Sequence, residues 1–220
     1  EERVFIALTK IMKNNNYSRR FVVSASEILE TLGLTNFFYY KKIKDALTLL
    51  SKTNYTFLNS LYSNKESGII EKKIMSNIMN ITIISKKDSR AKEIEAFEDG
   101  RIKEVYEINF TDYFYENIIR KGYLAFDSGK LLAIENSVSR AIYTIVEKWR
   151  GYDLYIKRQA FFIARRIPLK WDKTQIKRTI DTMEKALIEL RNLNLIKDYK
   201  IIKEKKWELA EIEITYEESH

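Results

Sequence analysis

The chain has 220 residues, 45% of them hydrophobic, enough for one large domain or two small ones with cores of their own. It has no cysteine, which excludes a disulfide framework and thiolate metal sites and makes a cytoplasmic setting the simplest expectation. The formal charge of +8 and a pI near 9.3 point to a polyanionic partner, although charge alone also fits many ordinary proteins.

No apolar run is long enough to span a bilayer, so no membrane partner is expected. No basic segment followed by a short apolar core marks a secretory leader. The chain opens on Glu1, as a fragment would, and any leader would then already be missing.

In chain order, Val4, Leu8, Ile11 and Met12 recur at helical spacing and predict a first helix. "SASEILETLGL" predicts a second, with Ser24 and Glu27 as a capping box, Leu29 and Leu32 on the apolar face, and Gly33 as its stop. A third is expected to start near Thr35 or Asn36 and to bury Tyr40, Ile43, Leu47 and Leu50. The short Gly-containing connection between the last two is a helix-turn-helix pattern. "NYTFLNSLY", rich in Tyr, Phe and Thr, then reads as extended and "NKESG" as a turn. "EKKIMSNIMNITIIS" alternates as one half-buried strand. Lys86 to Arg101 is charged and reads as a long turn or exposed loop, and "KEVYEINF" as the returning strand. Thr111 is expected to cap a short helix, "DYFYENIIRK", that Gly122 can stop.

The second half repeats this order without obvious residue identity. "LLAIENSVSRAIYTIVEKW" predicts one long helix, "DLYIK" a short strand and "RQAFFIARR" a second helix ended by Pro168. "WDKTQIKRTIDTMEKALIELRNLNLI" predicts a third, with Asp172 as N-cap and Gln175 at the capping-box position. Its buried stripe is Ile176, Ile180, Met183, Leu187, Leu190 and Leu193. The rest forms a hairpin with "KEKK" at its tip. The expected fold class is α+β: two tandem winged-helix domains, each a helix-turn-helix plus a β-hairpin. Their expected extents are 1–127 and 128–220, joined between Tyr123 and Lys130.

The last helix poses a question. Lys173, Lys177 and Arg178 crowd the expected N-terminus, the positive end of the helix dipole, where acids are favoured. A recognition helix reads base edges with its N-terminal residues, and Arg, Lys and Gln pair well with guanine and adenine. Lys173, Thr174, Gln175, Lys177 and Arg178 are therefore candidate double-stranded DNA contacts, with Lys203, Lys205 and Lys206 at the hairpin tip touching phosphate. The alternative is a solvated amphipathic helix whose polar face happens to be basic. In the first domain Asn36, Lys41, Lys42 and Lys44 are the matching candidates. Phe38 beside them fits a partner protein equally well, and the first hairpin, with Lys65 and Glu66, is less plainly basic.

The segment "YEINFTDYFYENIIRKGYLAFDSGKLLAIENSVSRAIYTIVEKWRG", followed by the second helix-turn-helix, resembles bacterial plasmid replication initiators, the replication initiator A and iteron-binding group. The resemblance covers nearly the whole chain. It rests on the domain order, the strand-helix-"GY" junction and the "SRAIYTIVEKW" helix. It implies binding to origin repeats and recruitment of host replication proteins, the host initiator and the replicative helicase. It also implies a C-terminal domain that makes the main base contacts, with Gln175, Lys177 and Arg178 as readers. The N-terminal domain would share in dimerisation and DNA contact. Homodimers in equilibrium with monomers would repress the initiator's own promoter, while monomers initiate.

Three rivals stand beside this reading. A nicking enzyme would have a candidate nucleophile in any of 14 tyrosines, but its paired metal-binding histidines are missing, since the one His is His220. No G-x-x-x-x-G-K-[ST] phosphate loop occurs, and carboxylate pairs such as Glu98-Asp99 fall in expected loops. No catalytic residue, cofactor or metal is therefore expected. A winged-helix transcriptional regulator shares the same DNA physics. A winged-helix protein-interaction module predicts no specific DNA affinity.

Overall fold

The computed structural model describes residues 1–36, 38–58, 62–63, 68–69, 73–89, 94–119, 126–167, 169–203 and 206–217. The chain divides into two compact units, Glu1–Ser128 and Gly129–His220. Both mix helices with small antiparallel sheets, an α+β architecture.

In the first unit α1 (Glu2–Asn14) buries Val4, Leu8, Ile11 and Met12 as their spacing predicts, and Ile6 and Ala7 with them. A short strand that periodicity missed, β1 (Arg20–Val23), comes next. Four residues leave alternation little room to show, yet Phe21 and Val23 are buried. Ser24 caps α2 (Ala25–Thr31), its Oγ accepting the Glu27 N–H at 3.1 Å. Gly33 then takes φ +69°, the left-handed turn that releases the chain. α3 (Tyr39–Lys52) starts later than Thr35 or Asn36. The Asn36 side chain accepts the Phe38 N–H at 2.9 Å, a local turn ahead of the helix. Ile43, Ala46, Leu47 and Leu50 form the buried stripe, and Tyr40 is only half-buried.

The segment expected as one strand is two: β5 (Lys73–Ser76) and β6 (Met79–Ser85). They belong to different sheets. β5 pairs with β2 (Tyr55–Leu58), and β3 (Tyr62–Ser63) with β4 (Gly68–Ile69). Both pairs share one register, from Tyr55↔Ser76 to Tyr62↔Ile69. β6 instead pairs with β7 (Glu104–Phe110), which also takes β1 on its other edge. Asn77 makes the break. Its Nδ2 donates to the carbonyls of Ser51 and Met79 and to Asn80 Oδ1, and its own carbonyl accepts the Thr111 hydroxyl. Thr111 sits at the expected cap position of α4 (Asp112–Ile119), its carbonyl accepting the Tyr115 N–H, while its hydroxyl is spent on tying this break down. The expected turn at "NKESG", apart from Gly68, and the stop at Gly122 lie outside the described residues, as do Tyr123 and Pro168.

The second unit follows the same order. The long helix expected from Leu131 onward is interrupted: α5 (Ser128–Ala133) and α6 (Ser137–Arg150) flank Ile134, Glu135 and Asn136. Asn136 caps α6 by accepting the Val138 N–H at 2.8 Å. The buried Arg140 guanidinium donates to the carbonyls of Ile134 and Glu135. After β8 (Tyr155–Gln159) and α7 (Ala160–Arg166) comes α8 (Ile176–Asn192). The Glu189 carboxylate of α8 accepts the N–H groups of Glu135 and Asn136 and the Ser139 hydroxyl, so the interruption is clamped from across the unit. Asn194 at φ +54° ends α8, with the Leu195 N–H on the Leu190 carbonyl. This turn carries Leu193 out of the stripe: it is 36% exposed instead of buried. β9 (Asp198–Ile202) and β10 (Glu211–Thr215) complete a sheet of order β8-β10-β9.

That order matches β1-β7-β6 in the first unit. In both, helix, strand, two helices and two strands succeed one another, and the last strand lies in the middle. The β2–β5 arm is an insertion in the first unit only.

Glu189→Ala should leave two main-chain donors and one hydroxyl without their acceptor. The expected cost is about 1–3 kcal/mol, read as a lower urea midpoint at unchanged slope. Ile188→Ala, at a more exposed position of the same helix, should cost less.

Candidate nucleic-acid interface

α8 begins at Ile176, so Lys173, Thr174 and Gln175 sit in the turn that leads into it, not in its first helical turn. Asp172 builds that turn. Its Oδ1 accepts the Thr174 N–H at 2.9 Å and the Thr174 hydroxyl at 2.8 Å, and its carbonyl accepts the Gln175 N–H. The Thr174 N–H and hydroxyl hold its carboxyl below the usual range. Asp172 is thus a turn former, not the N-cap. Gln175 takes the cap position and makes no side-chain capping bond. Lys177 and Arg178 do fall in the first helical turn, exposed and with no acid in that turn, Asp181 being the next one along the helix. The buried Thr179 donates its hydroxyl to the Lys170 carbonyl at 2.8 Å, which pins the turn onto the helix.

The turn also gathers cations that the sequence reading passed over. Arg165 and Arg166 are exposed at the end of α7, and Lys170 is exposed just after it. Arg165 lies over the Phe161 ring at 5.4 Å, and that ring meets Trp171 edge-on at 5.6 Å. The signal was present: residues 164–178 hold Arg165, Arg166, Lys170, Lys173, Lys177 and Arg178 against the single acid Asp172.

At the β9–β10 hairpin the Lys203 ammonium sits over the Trp207 ring at 4.5 Å, and Lys206 is exposed. Lys205 lies outside the described residues. A 3-10 turn, Trp207–Leu209, follows and leads into β10. Lys157 on β8 is neutralised by Glu211 and Glu213.

The first unit does not bring its candidates into one row. Lys44 turns inward to β7, its Nζ on both Glu104 oxygens at 3.0 and 2.9 Å. The Tyr106 hydroxyl donates to the same carboxylate at 2.6 Å. Partial burial pushes the Glu104 carboxyl up, but these two donors outweigh it and leave it below the ordinary value. Lys41 faces a cleft on the Lys44 side, whereas Lys42 faces a second hollow with Asp45 and Lys52. Asn36 spends its side-chain oxygen on the turn before α3. Phe38 is 86% exposed. Lys65 and Glu66 lie outside the described residues. The hairpin that closes this sheet is β6–β7, and its connection, expected as a long turn or an exposed loop, packs Ile94, Phe97 and Ile102 on Ile84 of β6 and Val105 of β7.

Among the described residues no three His, Cys, Asp or Glu side chains are grouped to hold a metal, and no helix is long and apolar enough to cross a membrane.

No family model matches the chain, and no curated protein matches it in sequence. Its fold is similar to that of a crystal structure of RctB domains 2-3 (RctB-155-483), with a TM-score of 0.60 and 13% identity over 97% of this chain and 80% of the other. A structure of selenomethionine derivatives of domain 2 and domain 3 of RctB matches with a TM-score of 0.60 and 12% identity over the same shares. At such identities the likeness is one of fold, and it spans the two units together.

Proposed function

We propose that the chain is a sequence-specific double-stranded DNA-binding protein that initiates plasmid replication from origin repeats. In this reading each unit is a winged helix. The second is the main reader and the first shares in dimerisation and DNA contact. The observation that carries the reading is the run of outward cations from the end of α7 into the first turn of α8. At the start of α8 the helix dipole disfavours cations, whereas a polyanion favours the whole run. Arg165 and Arg166, at the end of α7, lie where the dipole favours them. Lys177 and Arg178 are the base readers in this scheme, with Gln175 beside them. Lys173, Thr174, Arg165, Arg166 and Lys170 hold the phosphates that flank the groove. Lys203, Lys205 and Lys206 belong to the wing. The resemblance to plasmid initiators supplies the biological setting: a cytoplasmic protein, origin repeats, the host initiator and the replicative helicase. The fold likeness across both units is compatible with it.

For the first unit a second reading has its own support. Phe38 is open to solvent while Lys44 is held by Glu104, a surface better suited to protein than to phosphate. We assign that surface to the homodimer.

Three outcomes test the scheme. Arg178→Ala should cost about 1–3 kcal/mol on the cognate repeat and relax preference at one position, with little change on scrambled duplex. Lys206→Ala should weaken both duplexes alike and flatten the salt slope by about one unit. Ile180→Asp, which places a charge in the core, should instead destabilise the unit as a whole. Base reading fails if Arg178→Ala lowers both affinities equally. DNA binding fails as a whole if the unaltered chain shows no salt-dependent affinity for either duplex.

The scheme also contains no catalysis. Supercoiled origin DNA incubated with the protein and a divalent metal should remain unnicked, and added ATP should remain intact. A site-specific nick with protein covalently attached would show an enzyme. Finally, sedimentation of the full chain should show a concentration-dependent monomer–dimer equilibrium that Phe38→Asp shifts to monomer. An unaltered equilibrium would place the interface elsewhere.

A further inference from the structure

A cleft of about 740 Å³ opens in the first unit between the α2–α3 helices and the segment that enters β7. Its size is that of a site for a small organic molecule. Its walls are preformed. On one side stand Ala25, Leu29 and Leu34. On the other, Ile102 is packed against the cluster of Ile84, Phe97 and Val105, and Tyr106 is held in β7 with its hydroxyl on Glu104. The Tyr40 ring joins the lining, and its hydroxyl is fixed by Ser26 Oγ at 2.6 Å. A ring held in this way offers a flat face for stacking.

The charges on the rim sort into pairs and a remainder. Lys44 is bound to Glu104, which also accepts from Tyr106. Arg101 is bound by both oxygens of Asp99. Lys41, Lys103 and Glu30 also line the cleft, and among the described residues no ion pair or side-chain hydrogen bond engages their charged groups. Two ammonium groups against one carboxylate leave the cleft with a surplus of one positive charge. An apolar floor, a fixed aromatic ring and that surplus select one kind of guest. We infer that this cleft binds a planar aromatic monoanion, with its ring between Tyr40 and the Leu29–Leu34 wall and its carboxylate at Lys41 and Lys103. A second negative group on the ligand would meet Glu30 and be disfavoured. The site belongs to the first unit, and the inference does not depend on the DNA-binding role of the second.

The probe is 2-naphthoate, titrated calorimetrically into the full chain beside its neutral counterpart 2-naphthylmethanol and the cation 2-naphthylmethylammonium. The expected result is saturable one-to-one binding of naphthoate, tighter than either counterpart. Lys41→Glu with Lys103→Glu should weaken naphthoate by at least about tenfold, the size of one lost charge-assisted hydrogen bond, and turn the preference toward the ammonium compound. Far-ultraviolet circular dichroism checks that the double variant folds. Lys41→Gln and Lys103→Gln, tested singly, carry the comparison if it does not, and each should weaken naphthoate without affecting the alcohol. The inference is overturned by an absence of saturable binding, by equal affinity for naphthoate and the alcohol, or by variants that bind naphthoate as the unaltered chain does.

Discussion

In each unit the strand that comes last in sequence lies in the middle of its sheet. β10 is paired along one edge with β8 and along the other with β9. β7 stands in the same relation to β1 and β6. Such a strand needs partners on both edges, and those partners come from before and after the helix pair. Closing the sheet therefore commits the helices. In the second unit, Ile212 and Ile214 of β10 are 1% exposed, and Met183, Leu187 and Leu190 of α8 are completely buried. One side of α8 is thus fully spent on the core, and its polar side is left to other uses.

This explains why the chain tolerates cations at the start of α8. Placing them at the positive end of a helix costs about 0.3–1 kcal/mol each, less where water screens them. Burying Ile176, Ile180 and Met183 contributes roughly 1.5–3 kcal/mol per side chain. Packing wins by a wide margin. Asp172 is occupied in closing the turn, and the next acid, Asp181, comes a helical turn after Lys177 and Arg178.

The first unit shows how little a count of lysines says about a surface. Lys41, Lys42 and Lys44 are almost adjacent in sequence, yet a helix sends them to different neighbours: a cleft, a second hollow and the Glu104 carboxylate. Lys44 is drawn in because β7 presents Glu104 and Tyr106 together on the side facing α3. The packed β6–β7 connection, expected as a long turn or an exposed loop, adds a wall and with it a cleft.

The parts that depend on near neighbours are legible in the order of residues. The apolar stripes of α1, α3 and α8, the Ser24 cap, the repeated order of elements and the cationic run of 164–178 can all be read from residues a few positions apart. Long-range contacts set where elements stop and what they meet. β1 is too short for alternation to mark it and exists because β7 offers an edge. The breaks at Asn77 and at Ile134–Asn136 depend on partners far along the chain: Ser51 and Thr111 for one, Glu189 for the other. A main-chain donor or acceptor freed at an interruption must find a partner, and when that partner is distant, no local pattern can announce it.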